Sequence, residues 1–184
     1  DGIRPLPGAV ELLRHLSATG CPWAIATSGR MATARPTIER LGVPEGVPII
    51  TRDLVAHAKP DPDLFLAAVE RLGVAPEDVF VVGDSVWDML AARRARVLGI
   101  GLLSGGYGTE ELEQAGAYRV YDDPAMLLAH LHEVGVLRVV VPPSARDELC
   151  ARCDDDVTEF LCGGREEPWT LVGTEYDTGA RYYV

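Results

Sequence analysis

Lysine is almost absent from this 184-residue chain: Lys59 is the only one, and the other 16 of its 17 cationic side chains are arginine. Cationic groups are also outnumbered, 17 against 28 carboxylates, for a formal net charge of -11. Such an acidic chain is poorly suited to general nucleic-acid or anionic-membrane binding. No apolar run approaches the roughly 18 residues that a membrane span needs, so a soluble protein is expected. Four cysteines, unevenly placed, are too few for a disulfide scaffold. Nothing in the sequence resembles a signal peptide, so the cytoplasm is the expected compartment. What is present is 47% hydrophobic residues, enough to support a globular core.

One lysine kept in a chain that otherwise chooses arginine suggests a position where a compact ammonium does what a guanidinium fork cannot; the competing reading is a surface lysine that survived by chance. Around it, apolar periodicity predicts helices over 8–19, 31–41, 62–72, 86–94, 109–115 and 124–133. Short apolar runs predict strands over 22–27, 47–50, 78–83, 97–102 and 118–121. The alternation of helices with continuous apolar strands predicts an α/β fold, a Rossmann-like parallel sheet with helices on both faces. Residues 1–137 would form this core and 138–184 a small C-terminal extension. In such sheets ligands bind beyond the carboxyl ends of the strands, so chemistry is sought there.

Three strand ends carry polar groups of different kinds. After PWAIAT come Thr27, Ser28 and Gly29, a hydroxyl beside backbone N–H groups that can receive phosphate oxygens. The competing reading is an ordinary helix N-cap. Lys59 follows in AKPDP, where Pro60 and Pro62 fix the backbone and a lysine could neutralise a phosphoryl group. FVVGDSVWD then ends the strongest strand with Asp84, and Asp88 lies in the first turn of the next helix. Two carboxylates there suit a hard cation such as Mg²⁺. Their alternative role is to complement the helix dipole.

Taken in order, this set resembles the haloacid dehalogenase-like hydrolase superfamily, most closely its phosphoglycolate-phosphatase-like branch. The resemblance runs from residue 2 to about 134 and includes IRPLPGAVELLRHL and SGGYGTEEL. It implies that Thr27, Ser28 and Gly29 hold phosphoryl oxygens and that Lys59 offsets charge on phosphate and nucleophile. It further implies that Asp84 binds Mg²⁺ directly, while Asp88 holds a metal-bound water or orients the site. The implied reaction is Mg²⁺-dependent hydrolysis of a small phosphorylated metabolite through an aspartyl-phosphate. The GDSxxD carboxylates favour the metal-dependent phosphoryl-transfer members over the dehalogenases. A non-catalytic relative that binds a phosphorylated ligand or a protein partner is the second reading.

The family's first motif, DxDx[TV], supplies the nucleophilic aspartate and the general acid/base. No such motif precedes Gly2, and the helical cap that would select substrate is not in the chain either. Nucleophile and cap are therefore expected from a preceding segment. The absent strand is central in the family's sheet, so two edges should be left unpaired, each polar group costing about 1–3 kcal/mol. A less favoured expectation is that 136–141, VLRVVV, fills the gap. Asp154-Asp155-Asp156-Val157-Thr158 matches DxDxT literally but lacks an apolar strand before it.

Other chemistry-bearing residues read more simply. Cys150, Cys153 and Cys162 lack the fourth ligand that a structural zinc site wants. His130 and His132, two apart on an expected helix, should face different ways and make a poor metal pair. His57 could line the site, Cys21 has no base beside it, and Trp87 is expected as packing or a site wall. Gly105, Gly106 and Gly108 lack the strand and spacing of a dinucleotide fingerprint. The sequence implies no particular oligomeric state.

Overall fold

A computed structural model describes residues 4–135, together with the strand segments 139–140 and 170–171. Its helices are α1 (Ala9–Ala18), α2 (Met31–Leu41), α3 (Asp63–Leu72), α4 (Val86–Ala95), α5 (Thr109–Ala115) and α6 (Pro124–Ala129). The interleaved strands are β1 (Ile25–Ala26), β2 (Ile49–Ile50), β3 (Phe80–Gly83), β4 (Leu98–Leu102) and β5 (Ala117–Tyr121). No helix among the described residues is long and apolar enough to cross a membrane.

The fold is α/β with parallel strands, as the alternation of elements predicts. Pairing is parallel in β1-β2 and in β3-β4-β5, which form two separate sheets. Along β4 the side chains alternate between two helical layers. Ile100 and Leu102 pack with Leu12 of α1 and Leu127 of α6. On the other face a Cβ on Gly99 would lie 2.9 Å from the Met89 sulfur, and one on Gly101 3.1 Å from Leu112. Glycine at those two positions lets α4 and α5 close onto the sheet.

The break between the two sheets is occupied by an apolar slot of about 380 Å³. It runs between β1 and β3, lined by Leu12 and Leu16 of α1, Phe65 and Val69 of α3, Ile25 and Val81. Both helical layers therefore continue past the break. Val82, in the middle of β3, is 39% exposed, although a strand in a covered parallel sheet is normally buried on both faces.

Several expected boundaries move. The first two strands shrink to two residues each, because β1 pairs only with β2. The expected helix over 124–133 ends at Ala129 and resumes as a 3-10 turn over Leu131–Val134, since His130 leaves helical dihedrals at φ -120 and ψ 20. This break also corrects the expectation for its histidines: the His130 and His132 rings stack with centroids 6.1 Å apart. The described residues of VLRVVV do not pair with β1 or β3. Its residues Val139–Val140, strand β6, pair antiparallel with Thr170–Leu171, strand β7, in a sheet of their own. Cys150, Cys153, Cys162 and the Asp154–Asp156 run lie outside the described residues.

Candidate active site

Strand β1 ends at the turn Thr27-Ser28-Gly29, where Thr27 N–H donates to Ile50 O at 2.9 Å. Its hydroxyl oxygen accepts the Gly29 N–H at 3.1 Å, which tightens the turn. The capping of α2 comes from elsewhere: the N-cap is Arg30, with no side-chain cap of its own. Asp53, from the 3-10 turn Arg52–Leu54 after β2, instead accepts the Met31 N–H at 2.8 Å. An exposed Ser28 is thereby spared capping duty, and its hydroxyl makes no hydrogen bond among the described residues.

The third strand ends at Gly83, and Ser85 caps α4 through a capping box. Ser85 Oγ accepts the Asp88 N–H at 3.3 Å, while Asp88 Oδ2 accepts the Ser85 N–H at 3.1 Å and its hydroxyl at 2.6 Å. The other oxygen, Asp88 Oδ1, takes the Lys59 ammonium at 2.5 Å. Asp88 is 5% exposed, so both of its oxygens must be satisfied internally, and both are. Gly83 is needed for this approach, since a Cβ there would fall 2.4 Å from Asp88 Cβ.

Asp84 is situated differently. Its carboxylate makes no hydrogen bond or ion pair with the described residues, and it sits where β3 gives way to α4. The SGGYG loop packs closely against it, so that a Cβ on Gly105 would lie 1.9 Å from Asp84 O and 2.8 Å from its carboxyl carbon. A carboxylate without a protein partner suits a hydrated divalent cation, which takes one or two carboxylates and keeps several waters. The donor set thus fits Mg²⁺ through Asp84, with Asp88 already committed to Lys59 and Ser85.

Lys59 arrives on an irregular segment between β2 and α3, and only 17% of its side chain is exposed. The Phe65 ring lies beneath its ammonium, 5.8 Å from Nζ to the centroid. His57 points away from this pair: its amide N–H and ring Nδ1 both meet Asp63 Oδ2, at 3.0 and 3.1 Å. The hydrogen bond from the His57 amide, ahead of that from its ring, holds the Asp63 carboxyl below its ordinary range. Trp87 is 51% exposed, which excludes the core-packing expectation for it. Cys21 is buried.

The structure thus joins Lys59, Asp88 and Ser85 directly. It links the Thr27–Gly29 turn to the lysine segment through Arg52, whose N–H donates to Gly29 O at 3.1 Å. Sequence reading missed Arg52, Asp53 and Arg94. The available signal was the Arg52-Asp53 pair placed immediately after a strand, the kind of position where polar side chains cap and brace.

Comparison with known proteins identifies the family of the chain. Residues 1–96 match the family model of haloacid dehalogenase-like hydrolases. Phosphoglycolate phosphatase of Agrobacterium fabrum is 37% identical over 131 residues, 71% of this chain and 56% of that protein. Hexitol phosphatase A of Escherichia coli is 41% identical over 95 residues, 52% of this chain and 44% of that protein. The chain spans about half the length of the curated relatives it matches. A hydrolase from Pseudomonas syringae has a crystal structure similar at TM-score 0.68 and 53% identity, over 70% of this chain and 60% of that one. A hydrolase of the same family from Deinococcus radiodurans, solved with bound phosphate and sodium, gives TM-score 0.65 and 36% identity over 71% and 60%. With its ordered motifs, parallel α/β core and these relatives, the chain belongs to the haloacid dehalogenase-like hydrolases.

Proposed function

We propose that this chain carries the phosphate- and metal-binding half of a Mg²⁺-dependent phosphatase that acts on a small phosphate monoester. The observation that carries the reading is the contrast between two neighbouring carboxylates. Asp88 is spent internally on Lys59 and Ser85, whereas Asp84 has no partner among the described residues. Named phosphatases among the relatives, and the phosphate bound to the Deinococcus protein, support the same class of substrate.

In this reading the Thr27 and Ser28 hydroxyls and the amides that follow receive the phosphoryl oxygens. Lys59, fixed by Asp88, offsets the negative charge that gathers as the phosphoryl group is transferred. Asp84 would hold Mg²⁺, whose positive charge would screen the substrate's phosphate and admit an anionic nucleophile. The nucleophile itself is a carboxylate delivered at the end of a strand seated in the slot between β1 and β3. Among the described residues β1 pairs parallel with β2 alone and β3 parallel with β4 alone, so each has an open edge, and the slot is lined mostly by apolar side chains. An apolar strand lying parallel there would end beside Thr27 and Asp84, since all parallel strands of a sheet end on the same side. Attack by that carboxylate on phosphorus would break the bond to the ester oxygen, the alcohol leaving with a proton from the second aspartate of DxDxT. The resulting aspartyl-phosphate would be hydrolysed by water that this aspartate deprotonates, releasing phosphate.

The test is to join a strand ending in DxDxT and a helical cap from a relative ahead of Gly2, and to measure phosphate release with Mg²⁺. Release should occur and should be lost in Lys59→Met and Asp84→Asn proteins that remain folded. Release that survives Asp84→Asn unchanged would overturn the metal assignment. A folded, completed protein that binds phosphate but releases none from a broad monoester panel would favour the ligand-binding reading.

A further inference from the structure

We propose that Arg52 is a positioning residue for Lys59, a brace that sets the lysine segment in place relative to the Thr27–Gly29 turn. Residues 55–61 contain no helix or strand, so their shape has to be imposed by side chains. Arg52 supplies much of it: Nη1 donates to Val55 O at 2.6 Å and Nη2 to Ala56 O at 2.9 Å. The guanidinium is a rigid fork whose two amino groups each take one of two successive carbonyls, a fixed geometry that a freely rotating ammonium would hold less firmly. The backbone of the same residue donates to Gly29 O at 3.1 Å. One residue therefore fastens both the turn offered to phosphate and the segment that carries the lysine.

The far end of the segment is held in the same manner. Arg94 of α4 donates to Pro60 O at 2.8 Å and approaches Asp61 at 3.9 Å. Between the two guanidinium groups the chain turns, with Asp61 N–H donating to Ala58 O at 3.0 Å. Lys59 sits inside that turn and projects to Asp88. Cationic side chains beside a phosphate-type site invite a reading as ligand contacts. Both guanidinium groups are instead committed to main-chain carbonyls, so they act through Lys59.

The proposal rests on the reading of Lys59 as a phosphate-site residue, but the brace can be measured without turnover. Because Lys59 is the only lysine, trace acetylation of the full chain can be followed at a single side-chain amine. Its rate is read by peptide mass spectrometry against free N-acetyl-lysine amide in the same solution. Arg52→Met should raise the Lys59 rate about fivefold or more, as expected when two hydrogen bonds holding a local segment are removed. Arg52→Lys, which restores one donor group and whose added amine is told apart from Lys59 by site-resolved fragment ions, should fall between, and Arg71→Met on the exposed side of α3 should leave the rate unchanged. An unchanged rate in folded Arg52→Met protein overturns the proposal. Should that variant not fold, Arg94→Met takes its place with the same expected rise, and no rise there overturns the brace. The function reading fails separately, if Lys59→Met in the strand-completed enzyme still releases phosphate.

Discussion

Lys59 Nζ and Asp88 Oδ1 meet at 2.5 Å across 29 residues of sequence, with 17% and 7% of their side chains exposed. A pair so enclosed is unforgiving of half-removal, because the surviving charge is left without a counter-ion. Asp88→Asn should lower unfolding free energy by about 2–3 kcal/mol, below the value for a fully buried pair because Lys59 keeps some water. Ser85→Ala, which removes the cap and the hydroxyl's hydrogen bond to Asp88 Oδ2 but leaves the ion pair, should cost about 1 kcal/mol. Urea titration of both checks this. If Asp88→Asn costs no more than Ser85→Ala, the ion pair is not what Asp88 contributes to stability.

Gly105 is held by proximity. Its missing Cβ would overlap the Asp84 carbonyl oxygen at 1.9 Å, and neither main chain can give way cheaply. Gly105→Ala should destabilise by about 3 kcal/mol and lower Mg²⁺ affinity together, since Asp84 is displaced. Gly42→Ala provides the comparison, with φ +65 and nothing within 4 Å of its Cβ. It should cost only about 1 kcal/mol, through conformation alone. Equal losses in thermal unfolding would argue against close packing at Gly105.

Helix α4 ends on Arg96, at φ 59 and the one left-handed non-glycine position among the described residues. A side chain there strains against its own carbonyl. Arg96→Gly should therefore raise stability by about 0.5 kcal/mol, the relief of strain being partly offset by the greater freedom of glycine in the unfolded chain. A lower melting temperature in the variant would show that the arginine side chain contributes more than its backbone costs.

Tyr121 closes β5 at 5% exposure, with its hydroxyl 3.2 Å from Glu133. Burial first, and the Glu133 carboxylate next, push its pKa up to about 12. The folded state thus retains the phenol proton after the unfolded chain has lost it. The stabilisation is complete below about pH 10, the unfolded value, and is lost as pH rises to about 12. Its upper bound is about 2–3 kcal/mol. Tyr121→Phe should flatten the alkaline decline of stability between those limits. An identical decline in the variant would assign it to other groups.

The site was legible in sequence to the extent that it lay at ends of strands. Thr27 and Asp84 directly follow β1 and β3 and Asp88 lies in the first turn of α4, whereas Lys59, expected at a strand end, sits on the irregular segment between β2 and α3. Glycine stops at Gly42 and Gly73 take left-handed dihedrals at the ends of α2 and α3. The division of labour between the two carboxylates was not legible. It depends on which oxygen meets Lys59, and that contact is made between segments distant in sequence.

By itself the sequence determined the parallel α/β plan, because apolar period and glycine punctuation act over a few residues and need no distant partner. It also set the small residues at Gly83, Gly99 and Gly101 that let the helices approach. Only the tertiary structure decided that Arg52 and Arg94 grip the lysine segment from its two ends. It alone placed Val139–Val140 with Thr170–Leu171 and left an apolar slot between β1 and β3. Strand partners and side-chain forks are chosen by whatever group lies nearest after the chain has packed, and nearness in space is not written in local spacing.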